Sequence, residues 1–198
     1  MNADPVRIPE RVPELLVMLS GGGRSLDNLL DRIADGSLRA HIAGVVASRE
    51  CGGVGVAARR GVPVVVVPGD VSAHDLGELV THWGVDWVVL AGYLRRVAIP
   101  PALEGRVVNI HPALLPKFGG KGMYGRHVHE AVLASGERES GCTVHLCDSE
   151  YDRGAIVLQE RCPVLADDTA DTLAARVFDC ERRAYPAALK MLFAGDRR

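Results

Sequence analysis

The chain has 198 residues, 47% of them hydrophobic and 24% charged, enough to bury a substantial core as one domain. A formal net charge of -2 argues against a strongly basic nucleic-acid or membrane-surface binder, and no apolar run approaches membrane-spanning length. The five cysteines, Cys51, Cys142, Cys147, Cys162 and Cys180, form no C-x-x-C pair and no Cys/His zinc spacing, so they read as free thiols of a cytoplasmic protein.

Residues 1–13 are polar and broken by prolines; they read as a flexible tail rather than a signal peptide, with residues 14–198 forming a single domain. Residues 15–19 are a short continuous apolar run, the pattern of a strand buried on both faces. A turn through Ser20-Gly21-Gly22-Gly23-Arg24-Ser25 leads into Leu26, Leu29, Leu30 and Ile33 at helical spacing, with Gly36 as terminator. Strands are predicted over residues 40–48, 62–67 and 86–90, separated by helices over 54–60 and around Leu76, Leu79 and Val80. A fifth strand covers 107–110 and a helix 128–134. Two further strands, 143–147 and 155–164, are joined by a connection too short for a helical crossover, so they are expected to pair antiparallel. A last helix opens at Thr169 or Asp171 and carries Leu173, Val177, Ala184, Leu189 and Leu192. Alternating strands and helices predict an α/β fold: a Rossmann-like, mostly parallel twisted sheet of about seven strands flanked by helices, with an antiparallel pair in the C-terminal half.

Three stretches carry chemistry. The fifth strand ends on Asn109-Ile110-His111-Pro112, and its two polar side chains, two residues apart, project to one face at a carboxyl strand end, where open α/β sheets bind ligands. An amide donor beside an imidazole suits a reaction that develops charge on a carbonyl oxygen. The same pair is ordinary in a structural strand end, so it needs its neighbours. The glycine turn at 20–25 sits between a strand and a helix, where backbone N–H groups and the helix N-terminus favour an anion. It is neither a dinucleotide fingerprint nor a Walker loop, and a tight turn without ligand is the competing reading. Asp148, Glu150 and Asp152 fall in the loop after the sixth strand, where an Asp is more often a turn residue than a catalyst. If one of them reached His111, it would raise the imidazole pKa and fix the tautomer.

Taken together, these residues resemble the phosphoribosylglycinamide formyltransferases. The resemblance runs from about residue 15 to 194 and rests on Asn109-Ile110-His111-Pro112-Ala113-Leu114-Leu115-Pro116, on Asp152-x-Gly154 followed by Gln159, and on Ser20-Gly21-x-Gly23. Leu90-Ala91-Gly92-Tyr93-Leu94-Arg95 and Glu181 before Tyr185-Pro186 match as well, and residues 119–125 look like the insert of one bacterial branch. The resemblance implies the formyltransferase fold and formyl transfer from 10-formyltetrahydrofolate, as cosubstrate, to the amine of glycinamide ribonucleotide in purine synthesis, with no metal. By the same resemblance Asn109, His111 and Asp152 form the catalytic set. Gly22, Gly23, Arg24, Ser25 and Glu181 hold the ribonucleotide. Leu94, Arg95, Arg96, Val97, Asn109, Cys147, Asp148, Tyr151 and Asp152 line the folate pocket, and Thr143 and His145 support the site; Lys117, just after the motif, reads as a supporting phosphate or folate-tail contact or as a loop charge only. Without the resemblance, Glu181 reads as a solvated helix carboxylate and His145 as a core histidine; His127 and His129, in or near the insert, read as a solvated helix start in preference to residues approaching the ribonucleotide. Arg24-Ser25 departs from the Ser-Asn common in the family, and Arg153 stands where a second glycine is common.

The implied partners are small molecules, with no nucleic acid or membrane, and the chain is expected to be a monomer or homodimer. A formyltetrahydrofolate deformylase, ordinarily carrying an N-terminal regulatory domain, and a methionyl-tRNA formyltransferase, ordinarily carrying an additional C-terminal domain, are the nearest alternatives. A non-catalytic Rossmann-like nucleotide-binding module would keep the glycine turn but has no use for Asn109, His111 and Asp152 together.

Overall fold

Apolar runs bounded by turns become the strands of one sheet. The computed structural model describes residues 11–195; residues 1–10 of the expected tail, and 196–198 at the end of the expected domain, lie outside them. The strands are β1 (Glu14–Leu19), β2 (His41–Ala47), β3 (Val64–Val66), β4 (Trp87–Leu90), β5 (Val107–His111), β6 (Glu139–Leu146) and β7 (Ile156–Pro163). The helices are α1 (Arg24–Ala34), α2 (Gly52–Arg59), α3 (Ala73–Trp83), α4 (Arg126–Ala134) and α5 (Ala170–Gly195).

The seven strands lie in the order β3-β2-β1-β4-β5-β6-β7. The first five are parallel, so the chain winds outward from β1 in one direction and from β4 in the other. That reversal opens a crevice at the carboxyl ends of β1 and β4, the usual ligand position in such sheets. β6 pairs antiparallel with β7, as its short connection requires, and is antiparallel to β5 as well. The antiparallel register sets His145 directly opposite Asn109, and Thr143 opposite His111. A bulge between Val144 and His145 interrupts the β6–β7 ladder beside those residues.

Both faces of the sheet are covered. Leu15, Val17 and Leu19 of β1 share one apolar core with residues of α1, α2, α4 and α5; Leu16 and Met18 share a second with α3 and the loops after β3 and β4. This two-sided burial is why β1 reads as an uninterrupted apolar run. β3 is shorter than the four-valine run 64–67 suggested, because it is an edge strand that pairs only with Val45, Val46 and Ala47 of β2.

Tyr185 and Pro186 of the long α5 mark two of its ties to the rest. Tyr185 is buried, and its hydroxyl lies 2.9 Å from the Leu90 carbonyl and 3.1 Å from the Val108 carbonyl, bridging β4 and β5 just below the crevice. Pro186 has no N–H to give the Arg182 carbonyl one turn earlier. The Asn28 side chain of α1 donates to that freed carbonyl at 3.1 Å instead.

Candidate active site

A cavity of about 460 Å³ opens at the crevice, a volume suited to a small organic ligand. Its wall is built from residues 21–25, 90–97, 109–112 and 147–152, closed on one side by α4 and α5.

The polar end is made by β5, β6 and the loop that follows β6. Asn109 and His111 share a face of β5, as the period of two requires. The His111 ring donates from Nε2 to the Phe118 carbonyl at 2.8 Å, which turns Nδ1 toward Asp152 Oδ2, 3.6 Å away. His145 donates from Nδ1 to the Leu146 carbonyl at 3.0 Å, and its Nε2 lies 3.1 Å from Asn109 Nδ2. Asp152 Oδ1 stands 3.5 Å from the same His145 nitrogen, and Oδ2 accepts the Gly120 N–H at 2.9 Å. The carboxylate therefore sits between two ring nitrogens, and a proton arriving on either meets a negative charge.

Asp152 reaches this place by an unusual backbone. Its φ of 56° is left-handed, a conformation that Asp tolerates better than most residues. Gly154 closes the loop so tightly that an added Cβ would lie 1.8 Å from the Leu146 carbonyl oxygen, so no larger residue fits.

Burial holds His111 below the ordinary imidazole value, against the opposing pull of Asp152 and the Phe118 carbonyl, with His145 adding to the lowering. The expectation that a nearby carboxylate would raise this pKa is thus corrected: the carboxylate is present, but loss of water around the ring outweighs it. Burial would raise the Asp152 carboxyl, yet the His145 and His111 rings and the Gly120 N–H outweigh that and hold it below the usual carboxylate value. The resting site pairs an ionised carboxylate with a neutral imidazole able to take a proton.

At the other end the turn 20–25 caps α1. Gly23 is left-handed, with φ 79°, and a Cβ there would come within 2.7 Å of the Gly53 backbone. The first-turn N–H groups of α1 have no partner within the helix, an anion-binding arrangement. The Arg24 guanidinium lies 4.0 Å above the Phe178 ring of α5, held at the cavity wall by a cation–π contact. Glu181, also on that wall, is raised to about 7, chiefly by burial, with Arg24 opposing the rise. The middle wall is pinned from below: the Ser20 hydroxyl receives Leu94 N–H at 2.8 Å and the Ser48 hydroxyl at 2.6 Å.

An anion cradle, an apolar slot and an amide–imidazole–carboxylate cluster share one crevice. The formyl transferase family model matches residues 14–189. The chain belongs to the formyl transferase family. Phosphoribosylglycinamide formyltransferase, chloroplastic, of Vigna unguiculata is 41% identical over 195 residues, covering 94% of this chain and 62% of that protein. The trifunctional purine biosynthetic protein adenosine-3 of Drosophila melanogaster is 37% identical over 199 residues, 95% of this chain and 14% of that one. Among solved structures, glycinamide ribonucleotide transformylase 1 from Symbiobacterium toebii superposes with a TM-score of 0.85 at 32% identity, covering 97% of this chain and 92% of that one. The chain thus spans less than two thirds of the length of these two curated relatives.

Within this member of the formyl transferase family, the cavity gathers Asn109, His111, His145, Asp152, Gly22, Gly23, Arg24, Ser25, Glu181, Leu94, Arg95, Arg96, Val97, Cys147, Asp148 and Tyr151. Asp148 also makes the Asx-type turn expected of this loop, accepting the Glu150 N–H at 2.8 Å. Burial pushes the Cys147 thiol up to about 12, so it serves as wall rather than nucleophile. Thr143 lies outside the cavity; its hydroxyl receives the Leu115 N–H at 3.0 Å and donates to the Ala113 carbonyl at 2.7 Å, shaping the chain just after His111.

Two expectations are overturned. Lys117 does not join the site: its ammonium pairs with Glu137 at 2.7 Å, because the chain after Pro116 turns that side chain away from the crevice. His129 is no solvated helix start but a buried residue on the cavity wall, whereas His127 is exposed as expected. The helical phase held the signal: Val128 and Val132 mark the inner face of α4, and His129 lies nearer that face than His127. Phe178 was missed as well, since an aromatic residue at core spacing gives no sign that a cation stacks on it.

Proposed function

We propose that the chain transfers the formyl group of 10-formyltetrahydrofolate to the primary amine of glycinamide ribonucleotide, a step of purine synthesis in the cytoplasm, and that residues 14–198 act as one catalytic domain. The observation that carries this reading is the meeting of Asn109, His111 and Asp152 in the cavity whose far end is the glycine turn of α1.

The acceptor phosphate rests on the free N–H groups at Gly23, Arg24 and Ser25, and Glu181 accepts from the ribose hydroxyls. The folate ring system occupies the slot between residues 94–97 and the loop 147–152. Attack of the amine on the formyl carbon builds negative charge on the formyl oxygen, which an Asn109 N–H stabilises; one such donor is worth about 100- to 1,000-fold in rate. His111 Nδ1 takes the proton released by the amine, and Asp152 stabilises the imidazolium formed. That proton then goes to the departing folate nitrogen, general acid–base assistance contributing roughly 100- to 10,000-fold. His145 fixes the Asn109 amide through their hydrogen bond.

The test is turnover of a 10-formylfolate analogue, followed by folate absorbance, with and without glycinamide ribonucleotide. Ribonucleotide-dependent release supports the transferase. Release without ribonucleotide favours a deformylase, and ligand binding without release favours a non-catalytic module.

A further inference from the structure

His129 remains unused by this reading. It is 5% exposed, lies on the inner face of α4 with Val128 and Val132, and lines the cavity. Its Nδ1 is buried and makes no hydrogen bond. Burial, with the neighbouring His111 ring adding to its effect, holds this imidazole below its ordinary value, so the ring is neutral and carries one N–H. Orphaned buried N–H groups are rarer than under-used buried acceptors, which assigns the proton to Nε2 and the unpaired lone pair to Nδ1. The ring therefore offers the cavity a single donor that no protein acceptor claims.

The position of that donor selects its acceptor. α4 packs against α5, the helix that carries Phe178 and Glu181, while the ring is close enough to His111 for the two to interact electrostatically. On the ribonucleotide reading, from which this step follows, the ribose sits at Glu181 and the amine at His111. The group joining them is an amide, and its carbonyl oxygen is the acceptor facing the α4 wall. We infer that His129 orients the acceptor substrate by donating from Nε2 to its amide carbonyl, thereby aiming the amine at the formyl carbon. The bond satisfies an otherwise idle donor and fixes the torsion on which the direction of attack depends.

The test compares wild type with His129→Leu, which cannot donate, and His129→Gln, which can. His129→Leu is expected to raise the ribonucleotide KM about fivefold to tenfold and to lower kcat, leaving the folate KM unchanged; His129→Gln recovers most of the loss. A carbocyclic ribonucleotide analogue with a methylene in place of the amide carbonyl should bind wild type about fivefold to tenfold more weakly, and His129→Leu should show no such discrimination. Should the leucine variant fail to fold, proton–nitrogen NMR of 15N-histidine wild type decides: ribonucleotide should move the His129 Nε2–H resonance downfield. An unchanged resonance overturns the inference, as does a ribonucleotide KM in His129→Leu within about twofold of wild type. Wild type that neither binds nor formylates the ribonucleotide removes the underlying reading too, whereas normal turnover with an indifferent His129 removes only this one.

Discussion

Replacing Asp152 by Asn isolates the charge that faces His111. The change keeps the side-chain size, an oxygen able to accept the Gly120 N–H, and a residue type that tolerates the left-handed φ of 56°. What disappears is one negative charge 3.6 Å from His111 Nδ1, on a carboxylate whose side chain is only 12% exposed. At an effective dielectric constant of about 20 to 40, that charge stabilises a protonated ring by about 2.3 to 4.6 kcal/mol. If the imidazolium is formed only as the amine attacks, the whole amount enters the barrier, and kcat falls about 50- to 2,400-fold. Steady-state formyl transfer with saturating substrates measures it, and thermal melting checks that the fold persists. The double variant with His111→Asn should lose much less than the product of the two single losses, because the carboxylate acts through the ring. Wild-type kcat in Asp152→Asn, or fully multiplicative losses in the double variant, would refute the reasoning.

Glu181 gives a pH signature. Its carboxyl, raised by burial to about 7, is protonated below that pH and accepts poorly from ribose hydroxyls, so the ribonucleotide KM should fall as pH rises through 7. The folded state also holds this proton up to a higher pH than an exposed carboxyl of 4.5 would, so the group's contribution to stability declines as pH rises from about 4.5 to 7. Glu181→Gln should flatten both trends, and a pH-independent KM in wild type counts against the ribose role. Arg24→Ser removes a charged donor from the phosphate end and should raise the ribonucleotide KM about 10- to 100-fold, more at low salt; Phe178→Leu, which removes only the ring beneath it, should raise it about twofold to fivefold. Equal KM values in all three proteins would dissociate Arg24 from the phosphate. Tyr185→Phe should cost about 1 to 2 kcal/mol in urea unfolding, because the Leu90 and Val108 carbonyls lose their shared donor.

Much of this architecture was readable before any coordinates. The period of two placed Asn109 and His111 on one face, and the uninterrupted run of β1 announced a strand covered on both sides. What depended on distant partners was less legible. The length of β3 is set by the three residues of β2 beside it, not by its own four valines. The reversal of β6 against β5 is hidden in the 112–138 connection, long enough for either strand sense. The same limit applied within the site. The lowering of His111 comes from how completely the fold excludes water, and Lys117 was separated from the crevice by a turn whose direction no local pattern encodes. His129 differs, since the valines flanking it carried the helix phase and a stricter use of the 3.6-residue period would have placed it.

The gap that Pro186 leaves in α5 sets a distance across the cleft. Filling it with the Asn28 amide locks the first helix to the last at a fixed point, joining segments 154 residues apart. One of these helices presents the anion cradle at its tip, and the other carries Glu181 immediately before the clasped carbonyl of Arg182. On the proposed ribonucleotide reading the clasp acts as a caliper, because the helix that carries the anion cradle and the helix that carries Glu181 are pinned to each other at this point.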